Sequence, residues 1–325
     1  MTEARAAVER AFRSHERFLW SLCYRMTGSS ADADDLVQDT FARAIARPPA
    51  DLESPLRPWL VRVAMNLARD LLRQRRRRRY LGTWLPAPVG DAALALDDAG
   101  AGGLELPPAH EPAETAARYD LMESVTTAFL LALEALSPPQ RAVLILRDVL
   151  DYSVAETAAA LAFSEANVKT THHRARRAMQ DYDGRRCRPS PELTARTSAA
   201  LRRFLLAVRA QDASAVEALL AADVVARTDG GGEFVAAREP ILGPRKVSLL
   251  YAKLSGRRDV PELRSELRLL NGLPAIVVED PHPPARWAPR WTIQVEIGDD
   301  GLIRAVHSVL AIDKLRGLPA IGAAP

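Results

Sequence analysis

The sequence predicts a multidomain chain, two all-α domains followed by a C-terminal α+β domain. Three observations carry that prediction. Apolar residues recur at helical spacing from the N terminus to Asp181, strand-like runs begin only at Val224, and charge changes sign twice along the helical part. Residues 1–80 hold 16 Arg against 10 acids, residues 81–117 hold six acids and no Lys or Arg, and residues 165–188 hold seven bases against three acids. The net charge is only +3, so its distribution carries the information. A basic, acidic, basic order suits two polyanion-facing modules on an anionic tether.

Composition narrows the class. A chain of 325 residues with 48% hydrophobic residues can bury two or three cores. Met1–Arg13 carries charges throughout and no apolar run, and nothing approaches the roughly 18 apolar residues that span a bilayer. A cytoplasmic location without membrane contact is expected. Cys23 and Cys187 are far apart, with no CxxC and no Cys/His cluster, so neither a metal site nor a disulfide is expected.

The elements follow in order. Residues 1–30 read as a helical pair, with Val8, Phe12, Leu19, Leu22 and Met26 inward. DADDLVQDTFARAIA opens with acids at a positive helix end. Leu36, Val37, Phe41, Ala44 and Ile45 suit a core, leaving Asp35, Gln38, Asp39 and Arg43 outside. Pro48-Pro49 closes this helix, and the loop Ala50–Ser54 follows. Ser54-Pro55 starts a long helix, and Leu60, Val63, Leu67 and Leu71 form its apolar stripe, with Trp59 beside it. Arg62, Asn66, Arg69, Arg73 and Arg76 form a ladder on another side, which runs into Arg75–Arg79. A polyanion is the natural partner of such a ladder, and a solvated helix end is the plainer alternative.

Residues 81–117 read as a linker rich in Pro, Gly and Ala, carrying Asp91, Asp97, Asp98, Glu105, Glu111 and Glu114. Within it Tyr80–Pro88 stands out, because Trp84 and Leu85 sit beside Pro86, Ala87 and Pro88 as a stiff docking segment. In residues 118–183, Leu121, Val125, Phe129, Leu133 and Leu136 give an amphipathic helix. Ser137–Gln140 and Ser153–Glu156 are capping boxes. Val154–Ala160, a turn at Leu161–Ser164 and Glu165–Asp181 make a helix-turn-helix. Val168, Ala175 and Met179 point inward on its last helix, whereas Asn167, Lys169, Thr170, His173, Arg174 and Arg177 remain for bases and phosphates. After a short linker, 184–193, residues 194–316 begin with helices at Thr194–Ala210 and Ser214–Ala222. Strands are expected at Val224–Thr228, Glu233–Ala237, Leu267–Leu270, Ala275–Glu279, Trp291–Ile297 and Ile303–Ile312, as an antiparallel meander with turns at Asn271-Gly272 and Asp300-Gly301. A further helix is expected between Gly243 and Ser255, and residues 317–325 form a tail.

These motifs together resemble the extracytoplasmic-function (ECF) sigma-70-type RNA polymerase sigma factors. DADDLVQDTF with RPWLVRVAMNLARDLLR is similar to their region 2, a helical bundle. Residues 130–180 are similar to their region 4, a helix-turn-helix. The last 120 or so residues resemble a SnoaL-like cone-shaped α+β barrel, which a subgroup of the family carries at its C terminus. That subgroup's hallmark segments stand here as Trp84–Pro88, Asp229–Glu233 and Asp313-Lys314-Leu315.

The resemblance implies a sigma factor that binds core RNA polymerase and promoter DNA and is not an enzyme. It assigns polymerase binding to Asp32, Asp35, Leu36, Gln38, Asp39 and Phe41, and the −10 element to Arg57, Arg62, Asn66, Arg69, Arg73 and Arg76. The −35 element goes to Glu165, Asn167, Lys169, Thr170, His173, Arg174 and Arg177. The acidic tether would thread the polymerase's RNA channel. A regulatory contact is expected among Trp84, Leu85, Pro86, Pro88, Asp229, Gly230, Gly231, Gly232, Asp313, Lys314 and Leu315, with the C-terminal domain clasping the linker. A small-molecule ligand would suit that domain's cavity; no cofactor is expected. The chain departs from the family pattern at Thr171, His172, Ala87 and Ala311-Ile312.

Two other readings remain at this point. One is a one-component helix-turn-helix regulator with a ligand-sensing domain. The other is a polyketide-cyclase-like enzyme, for which Asp223, Asp229 and His307 are the acid–base candidates.

Overall fold

The computed structural model describes residues 2–49, 56–77, 80–90, 94, 118–256 and 263–322. They fall in two compact units, Met1–Arg79 with Ala92–Cys187, and Tyr80–Asp91 with Arg188–Pro325. The loop Ala50–Ser54, the Ser54-Pro55 start signal and the six linker acids lie outside the described residues.

The first unit opens with α1 (Thr2–Thr27), one continuous helix rather than the expected pair. No Gly or Pro interrupts it before Gly28, whose φ of +64° ends it. α2 (Ser30–Ala46) starts where the Ser29 side chain accepts from the Asp32 amide. Leu36, Val37, Phe41 and Ala44 are buried against α1, with Phe41 edge-on to Phe12 at 4.2 Å; Ile45, expected inside, is exposed. α3 (Leu56–Arg77) buries Leu60, Val61, Ala64, Met65, Leu67, Ala68 and Leu72. Its stripe is thus rotated from the one expected, and Val63, Leu71 and Trp59 are only half-buried.

The amphipathic helix expected over Leu121–Leu136 is broken into short pieces. A 3₁₀ turn (Glu123–Val125), α4 (Thr127–Ala132) and a second 3₁₀ turn (Leu133–Ala135) follow one another. Thr126 is the reason: its extended backbone stops the first piece while its hydroxyl accepts from the Phe129 amide to start the next. Leu121 is accordingly 38% exposed, while Val125, Phe129, Leu133 and Leu136 are buried. Both capping boxes form. They start α5 (Pro138–Leu144), which continues through a π-helical turn (Ile145–Val149), and α6 (Val154–Leu161). Ala162, with φ +54°, makes the tight turn, Ser164 caps α7 (Glu165–Ala178), and α8 (Gln180–Asp183) follows. Val168, Ala175 and Met179 are buried, as the spacing predicts.

In the second unit α9 (Pro191–Arg209), α10 (Ala213–Ala218) and α11 (Pro244–Gly256) pack on one face of a six-stranded sheet. The strands are β1 (Leu220–Asp229), β2 (Ile241–Leu242), β3 (Arg264–Leu270), β4 (Leu273–Glu279), β5 (Arg290–Ile297) and β6 (Ile303–Val309), in the order β2-β1-β6-β5-β4-β3. The core joins Leu201 and Phe204 of α9 with Val247 and Tyr251 of α11 and Val224, Ala226, Ile293, Val295 and Val306 of the sheet. The expected meander is corrected at one place: β1 and β6 are parallel, so the chain's first and last long strands meet at the centre of the sheet. The expected strand Glu233–Ala237 is a turn, in which the Glu233 and Phe234 amides donate to Gly230 O. The last expected strand ends at Val309, and Ile312–Leu315 is a short helix, α12. Asn271 (φ +53°) and Gly272 (φ +76°) form the β3–β4 hairpin turn, a geometry that favours this residue pair.

Candidate nucleic-acid interface and linker clasp

On α2, Asp35, Gln38, Asp39 and Arg43 lie exposed on one side and Asp32 is half-buried beside them. Leu36 and Phe41 do not share that surface. At 4% and 5% exposure they pack inside the bundle and hold α2 there. Asp34, which sequence reasoning passed over, accepts from Trp20 Nε1 at 2.6 Å on the exposed side.

The ladder on α3 is divided. Arg62, Arg73 and Arg76 are exposed. The Arg73–Asp70 pair is open to solvent and contributes little. Arg57 is half-buried, its guanidinium 4.1 Å from the centre of the Phe18 ring. Arg69 is only 9% exposed. It donates to Asn66 Oδ1 at 2.7 Å and Leu161 O at 3.3 Å, and lies over the Phe163 ring at 5.1 Å. Burial, then the charge of Arg73, lowers its pKa. Arg76 donates to Leu136 O. The α6–α7 turn therefore covers Arg69 in the middle of the ladder, while Asn66 stays half-exposed with its side-chain oxygen taken by Arg69.

Two more guanidiniums join the same two helical sets. Arg25, 1% exposed, donates to Ser124 Oγ at 2.7 Å and Leu121 O at 2.9 Å, and burial lowers its pKa to about 10. Arg141, 3% exposed, donates to Met26 O at 2.8 Å, Leu133 O at 2.7 Å and Glu134 at 2.8 Å. Neither was legible as a contact residue, because an arginine reads as surface until its acceptors are known.

All seven residues expected to face the −35 element lie exposed on α7. Thr171 donates to Asn167 Oδ1 at 3.1 Å, which steadies that side chain. His172 has a structural task. It meets Asp148 at 2.9 Å, and Arg176 reaches the same carboxylate at 2.6 Å. Asp148 is 1% exposed. Burial alone would raise its pKa, but the hydrogen bonds from His172 and Arg176 outweigh that and hold it below the usual range. α7 is thereby fixed to the π-helical turn that carries Asp148.

In the second unit the segment Tyr80–Gly90 is bound along the α+β domain. Asp229, fully buried at the end of β1, accepts from Tyr80 Oη at 2.5 Å, Leu85 N at 2.8 Å, Gly231 N at 3.0 Å and Lys314 Nζ at 2.6 Å. Lys314 also donates to Leu85 O and sits 4.9 Å and 4.7 Å from the Tyr80 and Trp84 ring centres. Val89 and Asn271 exchange two hydrogen bonds, at 2.9 and 3.0 Å, and Gly90 bridges Leu270. Leu85, Pro86, Ala87, Pro88 and Val89 are buried, and Leu315 is buried on α12. The glycines make the turn beside Asp229: a Cβ on Gly230 would lie 2.8 Å from Ala236 Cβ and 2.9 Å from Phe234 O. Asp313 does not join this group. It is exposed and pairs with Arg316 at 2.7 Å. Tyr80 and Asn271 were missed, since nothing in sequence marks a turn asparagine as an acceptor for a distant amide.

The three acid–base candidates have separate partners. Asp223 pairs with Arg304 at 3.0 Å on the surface, Asp229 holds the linker, and His307 Nε2 meets Glu296 at 2.8 Å. Among the described residues no group of three or more His, Cys, Asp or Glu is placed to hold a metal, and no helix is long and apolar enough to cross a membrane.

Comparison with known proteins agrees with this layout. The Sigma-70 region 2 model matches residues 11–78, and the Sigma-70 region 4 model matches residues 126–179. The ECF RNA polymerase sigma factor SigJ of Mycobacterium tuberculosis is 31% identical over 313 residues, covering 95% of this chain and 93% of SigJ. SigG of the same organism is 43% identical over 170 residues, 51% of this chain; the chain spans 46% of SigG's length. The crystal structure of M. tuberculosis SigJ superposes with a TM-score of 0.67 at 27% identity, over 95% of this chain and 98% of that one.

Proposed function

The chain belongs to the ECF RNA polymerase sigma factors, and from that premise we propose that it directs core RNA polymerase to −10/−35 promoters, with its C-terminal SnoaL-like domain as a built-in regulator. In this reading the exposed acids of α2 meet the polymerase. Residues Arg57, Arg62, Asn66, Arg69, Arg73 and Arg76 line the melted −10 strand, where an unpaired base must be held out of the stack with cations along its backbone. The exposed face of α7 reads −35. The tether acids would occupy the path of nascent RNA. No catalytic step is assigned to the chain.

The observation that carries the regulatory part is the fully buried Asp229, which binds Lys314 and the Leu85 amide together. The start of the tether between the two DNA-reading modules is thereby fixed to the C-terminal domain. That sets how far region 4 can travel from region 2 when promoter DNA separates them. A small-molecule ligand of this domain would act by changing that hold.

The test is transcription. Purified protein added to core polymerase should yield RNA starting at defined positions, and Trp84→Ala/Leu85→Ala should change output from the same promoter. No defined starts would overturn the sigma assignment, and unchanged output from the double variant would overturn the regulatory one. One observation favours a second reading, a one-component regulator: α7 is exposed while the centre of the α3 ladder is covered. That protein would bind duplex DNA alone and leave core polymerase inactive.

A further inference from the structure

Beside the reading face of α7 lies a cleft of about 410 Å³ lined by Arg118, His173, Arg176, Arg177, Gln180 and Asp183. Arg118 precedes the matched region 4 segment, which begins at residue 126. Its side chain is held from below. Nη2 donates to Asp183 Oδ2 at 2.5 Å, while Tyr119 Oη takes the other oxygen of that carboxylate at 2.7 Å. Arg186 Nη2 donates to the Arg118 main-chain oxygen at 2.6 Å. The Arg118 side chain remains 38% exposed. A guanidinium carries five N–H donors in a planar fork, so several stay available on the cleft side.

The charges do not cancel. Asp183 is engaged by Arg118, and Arg176 is engaged by Asp148. Each of those pairs is neutral, so Arg177 supplies the net positive charge of the cleft, while the outer edge of Arg118, His173 and Gln180 supply hydrogen-bonding walls. Position identifies what would enter. Thr170, His173, Arg174 and Arg177 recur at three, four and seven residues, so the cleft continues the base-reading face. Seven residues of helix rise about 10 Å. The major groove is about 12 Å wide. A helix with Asn167 and Thr170 at base edges therefore brings Arg177 and the cleft to the groove wall, where the phosphates are.

We propose that this cleft seats one phosphate of the DNA strand flanking the −35 element, held between Arg118 and Arg177, and that Arg118 is a positioning residue for promoter binding. The inference rests on the −35 reading of α7. It adds a contact from outside the helix-turn-helix that fixes register without reading sequence.

The test uses core polymerase loaded with the full-length protein and a promoter duplex that the loaded polymerase selects from random DNA. Arg118→Ala should weaken binding equally on selected and scrambled duplexes, and should reduce the slope of log K against log salt by about 1. The main-chain bond from Arg186 is unaffected by this substitution. A single uncharged methylphosphonate, walked through the −35 flank, should at one position abolish the difference between wild type and Arg118→Ala. Asp183→Asn separates this role from a structural one. If Arg118 only anchors Asp183, Asp183→Asn reproduces the loss; if Arg118 holds phosphate, binding is kept or strengthened. An unchanged salt slope in Arg118→Ala, no sensitive phosphate, matching losses in the two variants, or an acidic peptide occupying the cleft without competing with DNA would each overturn the proposal while the −35 reading stands. A polymerase loaded with the wild type that selects no duplex would overturn both.

Discussion

Asp229→Asn is the sharpest probe of the linker clasp, because one oxygen of this buried carboxylate serves both Lys314 Nζ and the Leu85 amide. The amide isostere keeps shape but cannot accept with both ends. If its oxygen faces Tyr80 and Gly231, its NH₂ confronts two donors. Breaking a buried ion pair by removing one partner costs about 3–5 kcal/mol. The Lys314 side chain is 12% exposed and keeps its two aromatic rings and Leu85 O, so the lower end applies, about 3 kcal/mol. At 1.4 kcal/mol per factor of ten, the Tyr80–Gly90 segment should detach roughly a hundredfold more often. Amide hydrogen exchange reads this directly, since the Leu85 N–H is itself a bond to Asp229. Leu85 and Val89 should exchange about a hundredfold faster, with core amides of β5 and β6 little changed. Asp313→Asn, at an exposed pair, should shift neither. If Leu85 exchange in Asp229→Asn rises less than about threefold, the carboxylate does not hold the linker and the clasp reasoning fails.

Phe163→Ala should loosen the cover over Arg69 by about 1 kcal/mol, the worth of one partly desolvated cation–aromatic contact, and should raise affinity for single-stranded −10 DNA roughly fivefold in a fluorescence titration; weaker binding would oppose the covering role. Asp148→Asn should destabilise the first unit by about 3 kcal/mol in urea at neutral pH. Because the folded pKa of Asp148 is lowered, its contribution is full above the unfolded value of about 3.9 and is lost as pH falls further, so wild type and variant should converge only in acid. Ser137→Ala removes one half of a capping box and should cost about 1 kcal/mol in the same measurement.

Local signals were legible in the sequence and non-local ones were not. The capping boxes at Ser137 and Ser153, the Asn271-Gly272 turn and the buried stripe of α7 depend on neighbours three or four residues away, and they stand where spacing places them. The α3 stripe was misjudged because that helix is covered from two sides. Its bundle takes Leu60, Ala64 and Leu67, and the α6–α7 turn takes Arg69, so apolar residues alone do not mark the buried arc. The parallel pairing of β1 with β6 joins Val225 to Ala305, eighty residues apart, and no local pattern encodes it. Leu36 and Phe41 were transferred to a partner surface on family resemblance, although their apolar spacing with Val37 and Ala44 already placed them in a core. In the clasp, Asp229, Lys314 and Trp84 were recognisable from motif. Tyr80 and Asn271 were not, since their role exists only once the linker lies on the domain.

The arginines of the first unit divide into two kinds, and the division bears on how the proposed sigma factor opens. Arg69 and Arg76 donate to main-chain carbonyls, Leu161 O at the end of α6 and Leu136 O after the second 3₁₀ turn. Carbonyls at helix ends lack an intrahelical partner and carry the negative end of the dipole. A phosphate offers these guanidiniums an acceptor of the same geometry with full charge, about twice as strong per hydrogen bond. On the proposed function DNA would therefore compete for Arg69 and Arg76 on favourable terms. Arg25 and Arg141 oppose the same movement. They are buried to 3% exposure or less, and they cross between the two helical sets, Arg25 to Leu121 O and Ser124 Oγ and Arg141 to Met26 O. Separation strips those bonds and offers water rather than phosphate in return. The closed arrangement is thus held by arginines remote from the ladder and released by arginines within it. On the proposed sigma function, promoter DNA alone would act on only one side of that balance, and a polymerase surface that keeps the helical sets apart would supply the other.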